Sequence, residues 1–225
     1  MSIKLEAKRR KKMHETRIIP LFPLNIVLLP ETPIPLHIFE ERYKEMVNLC
    51  LESNGEFGIV LASASKVQTY GCTAHIEKVI HRYEDGRMDI QVRGVNRFKI
   101  IEISEEKAYL QAEVEFFDDL ETHEDLNELA EEGLAQIRKL QKITKREEFL
   151  EDLEQMDLKT LSFYFSAAYG FTAEEKQHFL EIKSTAQRLE ETVSGLKSVV
   201  KRIRMLKAIE KANLKSKKKY GFSTN

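Results

Sequence analysis

Hydrophobic and polar positions follow two different periods along this chain. Up to about residue 117 the apolar positions come in short runs or alternate with polar ones; beyond it they recur every three or four residues. Alternation marks strands with one buried face, whereas the longer recurrence marks amphipathic helices. The sequence therefore predicts a β-rich part followed by a helical part.

In the first part, Ile18-Ile19, Ile26-Val27-Leu28-Leu29 and Leu36-His37-Ile38-Phe39 read as short strands. All five prolines fall between Pro20 and Pro35, a density that suits sheet edges and argues against helix. Glu40-Glu41 then open a helix that presents Tyr43, Met46, Val47, Cys50 and Leu51 on one face and ends before Asn54-Gly55. A strand over 57–61 and a loop at Gly71 lead to the clearest hairpin, 72–83 against 87–98, turning at Asp85-Gly86. The adjacent Ile100 and Ile101 predict a bulge, and 110–116 alternates again as a last strand.

In the second part, Thr144 with Glu147, Thr172 with Glu175, and Ser184 with Gln187 have capping-box spacing and predict three helix starts. The last segment carries Leu189, Val193, Leu196, Val200, Ile203 and Leu206 as one stripe, with Lys and Arg opposite. Such a stripe builds a bundle helix, or a helix that projects to dock a partner. The expected fold is α+β: a curled, mostly antiparallel β domain of pseudo-barrel form with one helix over 17–117, then a helical bundle over 118–214 ending in a long helix. Basic tails are expected at 1–16 and 215–225.

Composition narrows the class. With 42% hydrophobic residues in 225, the chain can bury a sizeable core. No apolar run approaches the ~18 residues of a membrane span, and none follows the basic run 8–12 as a secretion signal would. A cytoplasmic location without a membrane partner is expected, with Cys50 and Cys72 as buried reduced thiols. The net charge of -1 hides strong segregation. Residues 1–12 carry six Lys/Arg against Glu6, residues 197–219 carry ten against Glu210, and residues 113–157 carry sixteen Asp/Glu against five Lys/Arg. The basic ends read as solvated tails or as contacts for nucleic acid or an acidic protein surface; no aromatic interleaving offers bases a stacking platform.

Catalytic patterns are missing. No glycine precedes a lysine, which excludes a Walker A phosphate loop, and no serine sits in a Gly-x-Ser-x-Gly elbow. The six histidines are scattered without metal-ligand spacing. His75 and His81 share strand parity but stand about 20 Å apart along an extended strand. The carboxylates of the acidic block lack the apolar surroundings that would raise a pKa for acid catalysis. Neither cofactor nor metal is expected, and binding is favoured over catalysis.

Five segments then carry a family resemblance: Pro20-Leu-Phe-Pro-Leu24, Val27-Leu-Leu-Pro30, Pro35-Leu-His-Ile-Phe-Glu-Glu-Arg-Tyr43, Tyr70-Gly-Cys-Thr-Ala-His-Ile76 and Gly94-Val-Asn-Arg-Phe98. In order and spacing they resemble the N-terminal substrate-binding domain of Lon proteases. Residues 172–182 and 187–191 resemble the helical segment that follows it. In full-length Lon that segment leads into a motor domain and a protease domain with a Ser-Lys dyad, neither of which falls within these 225 residues. The resemblance implies a non-catalytic module that binds protein or peptide clients, unfolded ones included, as an adaptor or regulator beside a separate protease. Arg42, Tyr43 and Met46, on the first turns of the β domain's helix, are the expected peptide contacts, with packing as their alternative role. His37, Phe39, Glu40, Gly71, Gly94, Arg97 and Phe98 belong to the matching segments and are expected to be structural; an ion pair or turn-fixing hydrogen bonds would explain His37, Glu40 and Arg42 without a ligand. The alternative from another class is a nucleic-acid-associated factor using the basic tails and the last helix. The sequence leaves the oligomeric state open.

Overall fold

The computed structural model describes residues 16–219 except 64–65, 121–124 and 146–152, and leaves out the side chains of 154 and 214–219. The tails at 1–15 and 220–225 and the capping residue Glu147 lie outside the described residues.

Six strands precede most of the helix: β1 Thr16–Leu24, β2 Pro33–Ile38, β3 Glu56–Ser63, β4 Lys66–Arg82, β5 Met88–Ser104 and β6 Gln111–Phe117, with α1 Glu41–Ser53 between β2 and β3. Then come α2 Asn127–Thr144, a short 3-10 turn Leu153–Gln155, α3 Leu158–Ala167, α4 Ala173–Glu181 and α5 Thr185–Lys219. The strands form one mixed sheet in the order β2-β5-β4-β3-β1-β6, and β6 also pairs with β5, so five strands close into a ring with β2 outside it. Closure depends on the length of β5, whose first part pairs with β2 and whose later part pairs with β6. The neighbouring pairs are antiparallel except β1 with β3, which run parallel from Leu21 to Leu24.

Three cores hold the molecule, one of them inside the ring, where Leu21, Val60, Phe98 and Val114 pack together. Under the first sheet region, Met46, Val47 and Cys50 of α1 pack on Ile76, Met88, Ile90 and Val92. Full burial of each aliphatic side chain contributes roughly 1.5–3 kcal/mol. Among the helices, Leu134, Ile137 and Leu140 of α2 meet Phe165 of α3 and Leu189, Val193 and Leu196 of α5. Phe163 and Leu180 leave this bundle and pack into the core beneath α1, which ties the two halves together.

The hairpin forms where expected, with Gly86 at φ 81° in the turn and His81 and Arg82 opposite Asp89 and Met88, though its register shifts three times farther along; the register shift between Ile100 and Glu102 is the expected bulge. The capping box at Thr172 and Glu175 is complete. Ser184 caps α5 through the Gln187 amide, while the Gln187 side chain reaches forward to Glu191 instead of back.

Three expectations change. The run 26–29 is not a strand: it joins no ladder, the next pairing being the isolated bridge of Pro30 with Gly94, and the chain turns through Glu31 at φ 60°. Gly71 lies inside β4, not in a loop, paired with Val60 and Phe98. Thr144 is the last residue of α2 and donates its hydroxyl to the Leu140 carbonyl, and the helix start expected after it lies outside the described residues. Leu206, expected on the buried stripe of α5, is exposed, and burial stops after Val200 with Ile203 half-buried.

Candidate functional site: an aromatic face at the junction of β2 and α1

Alternation sets this site. Ile38, Met88 and Ile90 point into the core, so their strand neighbours His37 and Asp89 point outward, and His37 pairs with Asp89 while Asp89 pairs with His81. Three strands thus present a row His37–Asp89–His81 on the outer face. His37 Nδ1 lies 2.6 Å from Asp89 Oδ1, and the Tyr83 hydroxyl donates to Asp89 Oδ2 at 2.8 Å. The hydrogen bond from His37, then that from Tyr83, hold the Asp89 carboxyl below its ordinary range.

Aromatic rings gather around this carboxylate. Phe39, just past the end of β2, stacks on His37 at 5.9 Å and 21°. Tyr83 meets His37 edge-on at 5.9 Å and His81 at 4.4 Å, and the Arg87 guanidinium lies 4.9 Å from the Tyr83 ring centre. Phe39 is 59% exposed, an unusual position for a phenylalanine held in a stack.

Both sheet edges beside this face are blunted. β2 carries Pro33 and Pro35, which offer no N–H. β3 pairs with β4 only as far as His75, and the β4 segment beyond Ile76 shifts register at Glu77 and again at Ile80. Two bulges in one exposed segment disrupt the ladder that an added strand would need. The open surface is a face, with Ile80 exposed at its margin.

On the other flank of the hairpin tip, a groove of about 460 Å³ runs between α1 and the β4–β5 turn, lined by Arg42, Lys44, Asn48, Arg82 and Asp85 among others. Lys44 donates to Glu41 and to the Asp85 carbonyl, which ties α1 to the turn. Arg42 pairs with Glu40 at 2.7 Å and covers the Tyr43 ring at 4.6 Å.

The expected contact residues separate here. Arg42 is on the surface; Tyr43 is buried against Phe22 at 4.1 Å, and Met46 has 0% exposure. Tyr43 and Met46 are therefore part of the core that α1 forms with the sheet. Gly94 and Gly71 sit at close approaches: a methyl on Gly94 would strike the Leu29 carbonyl, and one on Gly71 would strike the Phe98 ring and the Ile59 carbonyl. Phe98 is fully buried in the ring's interior.

Arg97 is buried at the junction of sheet and helices. It binds Asp119 and donates through Nη1 to the Leu180 and Ile182 carbonyls at 3.0 and 2.5 Å. Arg188 binds the same carboxylate, donates through Nε to the Ser162 hydroxyl at 2.8 Å, and lies 3.8 Å above the Phe163 ring. Burial pushes the Asp119 carboxyl up, but hydrogen bonds and charge from Arg188 and then Arg97 outweigh it and hold the carboxyl below its ordinary range. Among the described residues, no group of three or more His, Cys, Asp or Glu side chains could hold a metal ion.

His81, Tyr83 and Asp89 were not singled out as site residues by sequence reasoning. Their signal was available, since the Asp85-Gly86 turn fixes a register that sets His81 across from Asp89.

Comparison with known proteins agrees with this architecture. The family model of the ATP-dependent protease La (LON) substrate-binding domain matches residues 18–198. The chain is 26% identical to a Lon protease of Buchnera aphidicola subsp. Baizongia pistaciae over 90% of its own length and 28% of the relative's. It is 23% identical to Lon protease 1 of Hydrogenovibrio crunogenus, over 91% of its length and 26% of the relative's. It therefore spans little more than a quarter of these curated relatives. Two solved structures share the fold: the Lon N-terminal domain protein from Xanthomonas campestris, with TM-score 0.60, 23% identity and coverage of 79% of this chain and 98% of that one, and the N-terminal domain of Mycobacterium avium complex Lon protease, with TM-score 0.66, 19% identity, 80% and 98%. With its matched span taking in the sheet, the junction and the buried half of α5, the chain belongs to the Lon substrate-binding domain family.

Proposed function

We propose that this protein is a non-catalytic recognition module that holds exposed segments of other proteins against the face around Phe39. The observation that carries the reading is the Phe39 ring, exposed yet held in a stack on His37 beside Tyr83 and His81. Aromatic faces take apolar and aromatic side chains of many shapes, as a module with varied clients requires. The blunted edges favour side-chain capture on the face over addition of a strand. Membership in a substrate-binding family supports the same class of ligand.

In this reading residues 17–117 recognise the client, residues 118–214 support them, and Arg42 with Glu40 forms a polar rim. Tyr43 and Met46 act through packing. The module works in the cytoplasm and hands clients to a separate protease. Hydrogen exchange on the full chain, with and without a reduced, carboxymethylated globular protein as unfolded probe, tests the surface. Slowed exchange at 36–39 and 80–90 is expected; slowing confined to the helical half would contradict the reading.

A further inference from the structure

The last helix changes character along its length. At about 1.5 Å per residue, the 35 residues of α5 extend about 50 Å. Leu189, Val193, Leu196 and Val200 face the bundle, and the helix is fastened at its departure by Arg202 donating to the Gly170 carbonyl and Lys207 to the Ile143 carbonyl at the end of α2. From Arg204 to Asn213 every residue is exposed.

The apolar stripe also changes sides. At about 100° per residue, Met205, Ile209 and Ala212 lie roughly half a turn around the axis from the bundle stripe. The bundle side continues instead as Arg204, Lys207 and Lys211. Met205 is 66% exposed and Ile209 48%. A free helix of this length is marginal in water, so its apolar stripe calls for a covering surface.

Charge selects the cover. Residues 197–219 carry ten Lys/Arg against Glu210, so two copies of this helix repel each other. The exposed face of α2 in a second copy offers Glu128, Glu131 and Glu132 but no apolar stripe to meet Met205 and Ile209. Contact with nucleic acid phosphates would leave the stripe in water. An anionic lipid surface takes both features at once, with the stripe at the acyl boundary and Arg204 and Lys211 on the polar face of the same helix within reach of the surface charge.

We propose that the free half of α5 lies flat on anionic lipid surfaces, Met205, Ile209 and Ala212 inward. Among the described residues no helix is long and apolar enough to cross a membrane, so the proposed contact is peripheral, and it revises for this one surface the expectation of no membrane partner. The proposal is independent of the client face.

The test is sedimentation of the full chain with phosphatidylcholine vesicles containing or lacking about 30 mol% phosphatidylglycerol, at low salt and at about 0.15 M. Binding to the anionic vesicles alone, weakened by salt, is expected. Arg204→Glu with Lys211→Glu should reduce the partition coefficient by about a hundredfold or more. Met205→Ser with Ile209→Ser should reduce it about tenfold with charge unchanged. All four positions are exposed, and thermal melts of the free variants confirm that the fold is kept. No anionic-vesicle binding at low salt would overturn the proposal. So would unchanged binding by either double variant, or tighter binding to a short DNA duplex than to the vesicles.

Discussion

Arg97 of β5 and Arg188 of α5 bind the same carboxylate, that of Asp119, and both guanidiniums are buried. Arg188 holds it through two nitrogens, Nη1 at 3.1 Å from Oδ1 and Nη2 on Oδ2. The shared anion ties the sheet to the helices, because both guanidiniums also donate to the Ile182 carbonyl in the link between α4 and α5, and Arg97 donates to the Leu180 carbonyl near the end of α4 as well. Asp119→Asn leaves two buried cations poorly compensated and should cost about 3–5 kcal/mol in denaturant unfolding. Arg97→Lys should also destabilise, since an ammonium cannot span Asp119 and two carbonyls in one plane.

The same carboxylate predicts acid sensitivity. Its pKa is lower in the folded state than in the unfolded chain, so its contribution to stability is complete above the unfolded value of about 4 and is lost as pH falls through the folded value. Urea unfolding at a series of pH values from neutral downward should show wild-type stability falling in that window, with a shallower fall for Asp119→Asn.

Gly94→Ala should be among the most damaging single-methyl changes in the sheet. The added carbon meets a backbone carbonyl, that of Leu29, which cannot rotate away as a side chain would. A loss of about 2 kcal/mol or more is expected from thermal or denaturant unfolding.

The two thiols should be inert in the folded protein. Burial pushes the Cys50 thiol up to about 11 and the Cys72 thiol higher still. At neutral pH a thiol-reactive dye should label neither residue until denaturant is added, and then both. Rapid labelling of the native chain would show that the α1 packing opens readily.

Much of this fold was legible because local chemistry and tertiary placement agree. The Asp85-Gly86 turn, the Thr172–Glu175 box and the face of α1 each carry their own signal within a few residues. The sequence misled where burial broke periodicity. The run 26–29 resembles a strand, yet the chain turns there without joining a ladder, and Leu28 and Leu29 are both packed in the core. The candidate site was half legible. His37, Phe39, Glu40 and Arg42 stood in a matching segment, whereas Asp89, His81 and Tyr83 join them only through pairing across strands far apart in sequence. Arg188 gave no warning, since a cation next to Leu189 on an amphipathic helix is ordinarily solvated, and only Asp119 and Phe163 bring it inside.

Phe39→Ala and Met46→Ala should behave oppositely. Phe39 is exposed, so its loss should change stability by less than about 0.5 kcal/mol. Met46 is wholly buried and should cost about 2–5 kcal/mol on truncation. The affinity of the full chain for a fluorescent, reduced and carboxymethylated globular protein, measured by anisotropy where each variant stays folded, is therefore the most direct measurement. The account predicts at least about tenfold weaker binding for Phe39→Ala and little change for Met46→Ala; equal affinity for wild type and Phe39→Ala would contradict it.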